Sequence, residues 1–520
     1  MQNDMICVGE ELEMSILKSE PKWHLAGGVF LVVALLMLAG WLPSTSKLLF
    51  EYGDLAANTL LVLDAKRSIL LTGNYSRVGF NHPGPAYFYV MAAGEYLFHD
   101  LLHLTPSPMG GQMLGTAALN AGWLSLLWLL LARFSRSAGA ATSGLATFVA
   151  YTLLNEPGFL FGIWMPFLYF APFAVFTLAL ARVASGRLDA LVPLALAGGF
   201  LIHGHASFIG IISLMIVIGA LVHLSATRWL PDEVWPKLVS PETVPRYRKH
   251  LIAAIVAVFL LPPIAQTLLH FPGPLGQYAG YGSARHSNSL AASLTYVFAC
   301  WGGAAMLVPS AVLMWVLLRT GGGDRRDLGE RLGFLAVLAA STLAVLFYTV
   351  FAVDFLDQAY IIYFYRAVPG LLTAVTVCAL YKTMDIRWHG RLALAAVLSA
   401  ALLLAFGPRR PTDSVAGIPE AHRALVEFEP GPAVLDLDNT RDWVAVWANT
   451  AGLLAYGKRV RSGTYCVRTN WHILFTEALH CPPGIAPGTP VLTVTPGGGV
   501  APGAGVLQVL GLNFTRTPAP

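Results

Sequence analysis

Of the 520 residues, 56% are hydrophobic and 12% are Asp, Glu, Lys or Arg, about half the roughly 25% charged content of soluble domains. This excludes a soluble multidomain enzyme, a disordered chain and a disulfide scaffold. A net charge of +4, from 33 basic and 29 acidic residues, gives nucleic acid no electrostatic footing.

What remains is a helical protein with many membrane spans. Crossing a hydrocarbon layer about 30 Å thick takes about 20 mostly apolar residues in a helix. The first such run is 24–43. The segment before it is acidic (Asp4, Glu10, Glu11, Glu13), unlike the basic start of a signal peptide, so the run reads as an uncleaved span. Lys18 and Lys22 precede it and favour a cytoplasmic N-terminus. Further apolar runs lie near 84–103, 111–132, 138–155, 166–184, 189–204, 206–224, 251–269, 289–318, 333–353, 361–381 and 390–406. Residues 190–227 carry no charged side chain, and as one helix they would reach roughly 57 Å. The run must therefore fold back, at His203-Gly204-His205-Ala206-Ser207.

Basic residues crowd Arg228–His250, Arg319–Arg331 and Lys382–Arg391, which places these loops on the cytoplasmic side. Counting back from them puts 203–207, 270–288, 354–362 and everything after 407 outside. Counting forward from a cytoplasmic N-terminus puts 44–83 outside as well. The two counts disagree by one crossing between 84 and 190. The expectation is one overlooked short helix, hidden by breaks such as Asn155-Glu156-Pro157-Gly158, and about thirteen spans in all.

After 407 charges, Pro and Gly return. Ala433–Asp438, Pro490–Pro496 and Gly505–Thr515 read as strands, and Trp443–Tyr456 and Trp471–Leu479 as helices. The expected organisation is an all-α transmembrane domain over 1–407 and a small α/β extracytoplasmic domain over 408–520. Cys466 and Cys481, the two cysteines of the tail, can pair in an oxidising compartment.

The first outer loop, 44–83, holds the densest candidate chemistry. It reads Phe50-Glu51-Tyr52-Gly53-Asp54, a helix-like Leu55–Leu63, then Asp64-Ala65-Lys66-Arg67, and closes on Asn74 to Pro85 with Arg77 and His82. Asp, Arg, His and Tyr beside a bilayer can combine an acid/base group with anion-binding cations. Asp64 would lie about 15 Å along a helix from Asp54 and so cannot share its reacting centre. Arg366, inside the apolar stretch Ile361–Val368, is costly in lipid and expected to have a partner or a task.

This layout resembles the GT-C membrane glycosyltransferases, which include protein O-mannosyltransferases, oligosaccharyltransferases, aminoarabinose transferases and arabinofuranosyltransferases. The shared pattern is a first span, an outer loop with an early acidic residue and an interfacial helix, many further spans and an outer tail domain. The segment Tyr75-Ser76-Arg77-Val78-Gly79-Phe80-Asn81-His82-Pro83-Gly84-Pro85-Ala86 is similar to a stretch in bacterial proteins of this architecture. Tyr365-Arg366-Ala367-Val368-Pro369 looks like the family's Arg-then-Pro feature at the outer end of a late span.

The resemblance implies transfer of a sugar from a polyprenyl-phosphate donor at the outer face of the inner or plasma membrane. Asp54 would take the proton of the acceptor hydroxyl. Arg77, His82 and Arg366, with His203, His205, Arg285 and His286 next, would meet the donor's phosphate or sugar. The acceptor is a glycan, lipid or protein of the envelope. Two other classes use similar materials. A flippase of lipid-linked sugars would show internal repeats, and none is visible. A polysaccharide polymerase or ligase usually carries its Arg-rich loop late, whereas here the dense loop is the first. His203-Gly204-His205 offers two imidazoles without a nameable third ligand, so no metal site is assigned and a divalent ion stays open. Gly321–Gly323 and Gly497–Gly499 lack the Lys-Ser/Thr ending of a nucleotide loop.

Overall fold

The computed structural model describes residues 23–517 apart from 77–78, 238–243, 284–286, 304–305, 321–323, 410–412, 439, 470–474, 477–478, 487 and 498–504, and apart from the side chains of 282–283. Among the described residues, eight helices are long and apolar enough to cross a membrane: Trp23–Thr45, Pro108–Ser135, Met165–Ala184, Ser207–Trp229, Arg246–Leu269, Arg325–Ala352, Ala359–Thr383 and Ile386–Phe406. Leu188–Gly204, Leu290–Ala299 and Leu307–Arg319 are shorter apolar helices, and Ala138–Asn155 packs in the same bundle. Met165–Ala184 is apolar all round and buried almost throughout, at the bundle centre. Arg246–Leu269 and Ile386–Phe406 are exposed along their lengths, as lipid-facing helices are.

The uncharged run turns where expected, with one helix ending at Gly204 and the next starting at Ser207. The run at 289–318 is two helices. The chain between them takes positive φ at Gly302 and Gly303 (85° and 75°), conformations that only glycine adopts freely.

One end of the bundle is tied by buried ion pairs. Arg182 lies between Glu330 (2.9 Å) and Asp189 (3.3 Å), Arg133 meets Asp189 at 2.9 Å, and at the exposed edge of the group Lys382 meets the buried Asp327 at 2.6 Å. Charges at such depth persist because each has an opposite partner. This end also carries the basic loops.

The run expected as a span near 84–103 does not travel the length of the bundle. It forms a helix, Ala86–Gly94, that continues as a π-helical turn, Glu95–Leu101. Just before it, Gly84 donates to the His203 carbonyl (3.2 Å). Near its end Asp100 pairs with Lys66 (2.5 Å), and Glu95 pairs with Arg459 of the C-terminal unit (2.9 Å). Its contacts therefore lie in the half of the bundle away from the buried ion pairs. With this helix left out of the count of crossings, the forward and backward counts agree.

The C-terminal unit is a five-stranded sheet in the order β2-β1-β3-β5-β4, with β1 Ala433–Leu437, β2 Tyr465–Arg468, β3 Val491–Pro496, β4 Val506–Val509 and β5 Leu512–Thr517. β1 runs parallel to β2 and β3, while β5 is antiparallel to β3 and β4. The single strand expected at 505–515 is a hairpin, turned by Leu510 and Gly511 at φ 51° and 69°, a two-residue loop whose twist suits adjoining strands. Helices Ile418–Phe428 and Trp443–Val460 accompany the sheet. Most of the helix expected at 471–479 lies outside the described residues. Cys466 and Cys481 are joined in a disulfide, with Cα atoms 4.8 Å apart.

The apolar core of this unit includes Ala56, Ala57 and Leu60. These belong to the helix Gly53–Lys66 of the first loop, so that helix is packed as part of the C-terminal unit.

Candidate active site

Asp54 occupies the first turn of Gly53–Lys66, and the chain enters that turn through an extended Tyr52 and a Gly53 at φ 56°. The left-handed glycine makes the entry abrupt. Each carboxylate oxygen of Asp54 is held by one donor. The Trp164 indole Nε1–H donates to Oδ2 over 2.7 Å, and the Tyr75 hydroxyl donates to Oδ1. Tyr75 sits in a narrow loop closed by Gly73 N–H to the His82 carbonyl (2.8 Å), His82 N–H to the Asn74 carbonyl (2.7 Å) and Ser76 N–H to the Phe80 carbonyl (2.8 Å). Trp164 stands just before the helix Met165–Leu168. The Tyr75 ring packs edge-on against Trp447 of the C-terminal unit, centroids 5.9 Å apart.

This carboxylate faces a cavity of about 540 Å³ lined by Tyr75, His82, Trp164, Tyr169, His205, Tyr348 and Asp354, with Tyr278 and Tyr281 from the helix Gly273–Ser283. Tyr281 donates its hydroxyl to Asp354 at 2.5 Å. A second cavity, of about 300 Å³, lies between the bundle and the C-terminal unit. Trp41, Phe161, Phe167 and Trp447 line it, and Asp54 and Trp164 form a wall common to both spaces.

His82 and His205 come together from distant segments, their rings 4.0 Å apart at the centroids. His82 Nδ1 accepts from the Ala206 N–H (3.3 Å), and His205 Nδ1 accepts from the Ser207 N–H (3.2 Å). With both Nδ1 atoms accepting, this network assigns the protons to Nε2 and makes both rings donors there. Burial, and secondarily the neighbouring His205, push the His82 pKa well below its ordinary value; burial pulls His205 down to about 4. At neutral pH the pair is thus uncharged.

The other expected residues divide. His203 is not a cavity residue. Its Nε2 lies 2.5 Å from the Phe259 carbonyl, its ring is covered by Gly84, where a Cβ would approach to 2.3 Å, and its Nδ1 is buried without a partner among the described residues. Arg366 stands outside the cavity lining, its guanidinium 5.1 Å from the Tyr363 ring centroid. Arg77, Arg285 and His286 lie outside the described residues, although Ser76, immediately before Arg77, lines the cavity. Among the described residues no three His, Cys, Asp or Glu side chains gather as metal ligands would. Sequence reasoning did not single out Trp164, Asp354 or Tyr75 as a partner of Asp54. Trp164 lies six residues beyond the Asn155–Gly158 break, past the short helix Gly158–Phe161, in the kind of irregular segment where functional side chains concentrate.

No protein-family model matches the sequence, and no curated protein matches it either. Solved structures do. The crystal structure of ArnT from Cupriavidus metallidurans bound to undecaprenyl phosphate is similar with a TM-score of 0.52 at 14% identity, over 90% of this chain and 93% of that one. ArnT from the same organism in the apo state gives a TM-score of 0.54 at 13% identity, over 90% and 92%. Likeness at this identity is a likeness of fold, and over nine-tenths of its length the chain has a fold like that of ArnT.

Proposed function

We propose that the protein transfers a sugar from a polyprenyl-phosphate donor to a cell-envelope acceptor at the outer face of the membrane. The observation that carries this reading is Asp54, a carboxylate fixed by two donors on the common wall of two cavities. In such a reaction the acceptor oxygen attacks the anomeric carbon, the bond to the phosphate oxygen breaks, and the lipid phosphate leaves with the electron pair. Asp54 is placed to take the acceptor's proton as the new bond forms. Its charge also favours the oxocarbenium-like character of the reacting sugar.

The donor belongs in the larger cavity. Its aromatic walls suit an apolar chain and the carbon face of a sugar ring, and the similar ArnT structure is bound to undecaprenyl phosphate. The Nε2–H groups of His82 and His205 are hydrogen-bond donors for the phosphate. Arg77, Arg285 and His286 are its candidate cations, adjoining in sequence the segments that line the cavity. Arg366, which does not line this cavity, is a charge that does not touch the donor. The three basic loops, taken as cytoplasmic, lie at the opposite end from this site and from the C-terminal unit.

The direct test uses purified protein in lipid nanodiscs with a mixture of undecaprenyl-phosphate sugars and an envelope extract as acceptor. Release of undecaprenyl phosphate that requires the acceptor is the expected result. Binding of undecaprenyl phosphate with no acceptor-dependent release from any of the sugars would refute the transferase reading.

A further inference from the structure

We propose that Arg459, in the C-terminal unit, is a positioning residue for Asp54, so that this unit forms a working part of the transfer site. The proposal rests on the reading of Asp54 as the base. Arg459 does not line either cavity. It lies in the helix Trp443–Val460, with its side chain only 12% exposed. Its guanidinium forks between two carboxylates, meeting Glu51 Oε1 at 3.0 Å and Glu95 Oε1 and Oε2 at 2.9 and 3.1 Å.

Each carboxylate leads elsewhere. Glu51 is three residues before Asp54 and accepts from the Thr59 hydroxyl (3.2 Å), a residue of Asp54's own helix. Glu95 accepts from Lys66 at the end of that helix (2.8 Å) and from Gln112 of the helix Pro108–Ser135 (2.9 Å). Arg459 is therefore the centre at which the bundle, the Asp54 helix and the C-terminal unit are joined. The joint is strongly ionic: burial alone would raise the Glu95 pKa, but Arg459, Lys66 and Gln112 hold it down to about 2.

The backbone leading into Asp54 is gripped from the same side. A Cβ at Gly452 would approach the Glu51 carbonyl to 3.0 Å, and one at Gly53 would touch the Ala448 Cβ at 3.5 Å. Residues 448, 452 and 459 recur at helical spacing, so one face of the helix presents Ala448, Gly452 and Arg459 to residues 51–53. Phe50 is fixed as well, its N–H donating to Ser414 Oγ (2.8 Å) and its carbonyl accepting from the Val415 N–H (3.1 Å). A lysine cannot replace Arg459 fully, because an ammonium is a point donor and cannot hold both carboxylates in the fixed geometry of the fork.

The experiment compares Arg459→Ala, Arg459→Lys and Gly452→Ala with wild type and Asp54→Asn, each as the full chain in nanodiscs. It measures kcat and KM for the undecaprenyl-phosphate sugars and binding of undecaprenyl phosphate itself, with active sites counted by that binding. Misplacing a reacting group by about 1 Å costs about 10²-fold in rate. Arg459→Ala is therefore expected to lose about 10²-fold in kcat, with KM and undecaprenyl phosphate binding within about twofold of wild type. Arg459→Lys should recover part of the loss, and Gly452→Ala should lower kcat without altering any charge. Wild-type kcat per binding site in Arg459→Ala would overturn the proposal. If Arg459→Ala fails to fold, wild-type kcat in both other variants would overturn it. Asp54→Asn at the wild-type rate would sink the assignment of the base itself. An inactive Asp54→Asn beside Arg459 and Gly452 variants at full kcat would sink the positioning role alone.

Discussion

Trp164 and Asp54 are 110 residues apart in sequence and 2.7 Å apart at the indole Nε1 and the carboxylate Oδ2. Indole can only donate, so the pair fixes one oxygen of the carboxylate without ambiguity. The broken chain between Asn155 and Met165 carries this donor on the cavity wall. A hydrogen bond to a charged group contributes about 1.5–3 kcal/mol.

Trp164→Phe keeps an aromatic wall and removes the donor. Turnover should fall by about 10–100-fold, the rate equivalent of that hydrogen bond, while undecaprenyl phosphate binding stays near wild type. An unchanged kcat would show that the indole serves packing alone.

Asp54→Asn preserves size and leaves one acceptor oxygen for either Tyr75 or Trp164. Transfer should drop by about 10²–10⁴-fold, with a stability cost of about 1 kcal/mol for the lost partner. A thermal melt beside the rate measurement separates the two effects. A large fall in melting temperature with normal turnover per folded molecule would mean that Asp54 is structural.

The histidine pair gives a pH signature. His205 is held down to about 4 against an ordinary 6.5, so between these values the unfolded chain binds a proton that the folded chain refuses. Stability must then fall as pH is lowered from about 6.5 toward 4 and level off below, by up to roughly 3 kcal/mol from His205. Above pH 6.5 the contribution is flat. His205→Gln should reduce the slope in that window, which chemical denaturation at several pH values would register; an unaltered slope would show that the titration lies elsewhere.

The Cys466–Cys481 bond closes a loop across a sequence separation of 15, for which chain entropy gives about 3 kcal/mol. Replacing both with Ser should loosen the C-terminal unit and, through the core it forms with Ala56, Ala57 and Leu60, raise protease sensitivity in the helix Gly53–Lys66. Mass spectrometry with alkylation before and after reduction checks the bond itself, and free thiols at both positions in the native protein would dispose of it.

Sidedness can be tested with two exposed sites at opposite ends of the bundle. In a background without other cysteines, Ser46→Cys should react with an impermeant reagent in intact cells, and Thr383→Cys only after lysis. The reverse pattern would invert the orientation argued from the basic loops.

Much of the bundle was readable because a hydrocarbon layer sets helix length so strictly, and the turn at 203–207 followed from length alone. The helix after Asp54 was also legible, and Asp54, His82 and His205 do line one cavity. Apolar periodicity could not separate a crossing helix from one confined to half the bundle at 84–103. Glu95 and Asp100 inside that run were the available signal, since uncompensated carboxylates are costly in lipid. The expense of a charge at Arg366 implies a partner, and it meets the Tyr363 ring and the Cys300 side chain, but expense does not say which wall a side chain will face. Tyr75 and Trp164 were hidden among many aromatic residues that serve packing. The joint between Arg459 and Glu51 spans 408 residues, and no local pattern encodes it.

That separation has a consequence for how the protein is made. A ribosome adding about 5–20 residues per second needs roughly 20–80 s to pass from Glu51 to Arg459. Throughout that interval the Asp54 helix lacks the partners that bury Ala56, Ala57 and Leu60, and it is too short to hold itself firmly in water. Newly started chains, and those that terminate early, therefore present this helix as an unprotected segment to quality-control proteases.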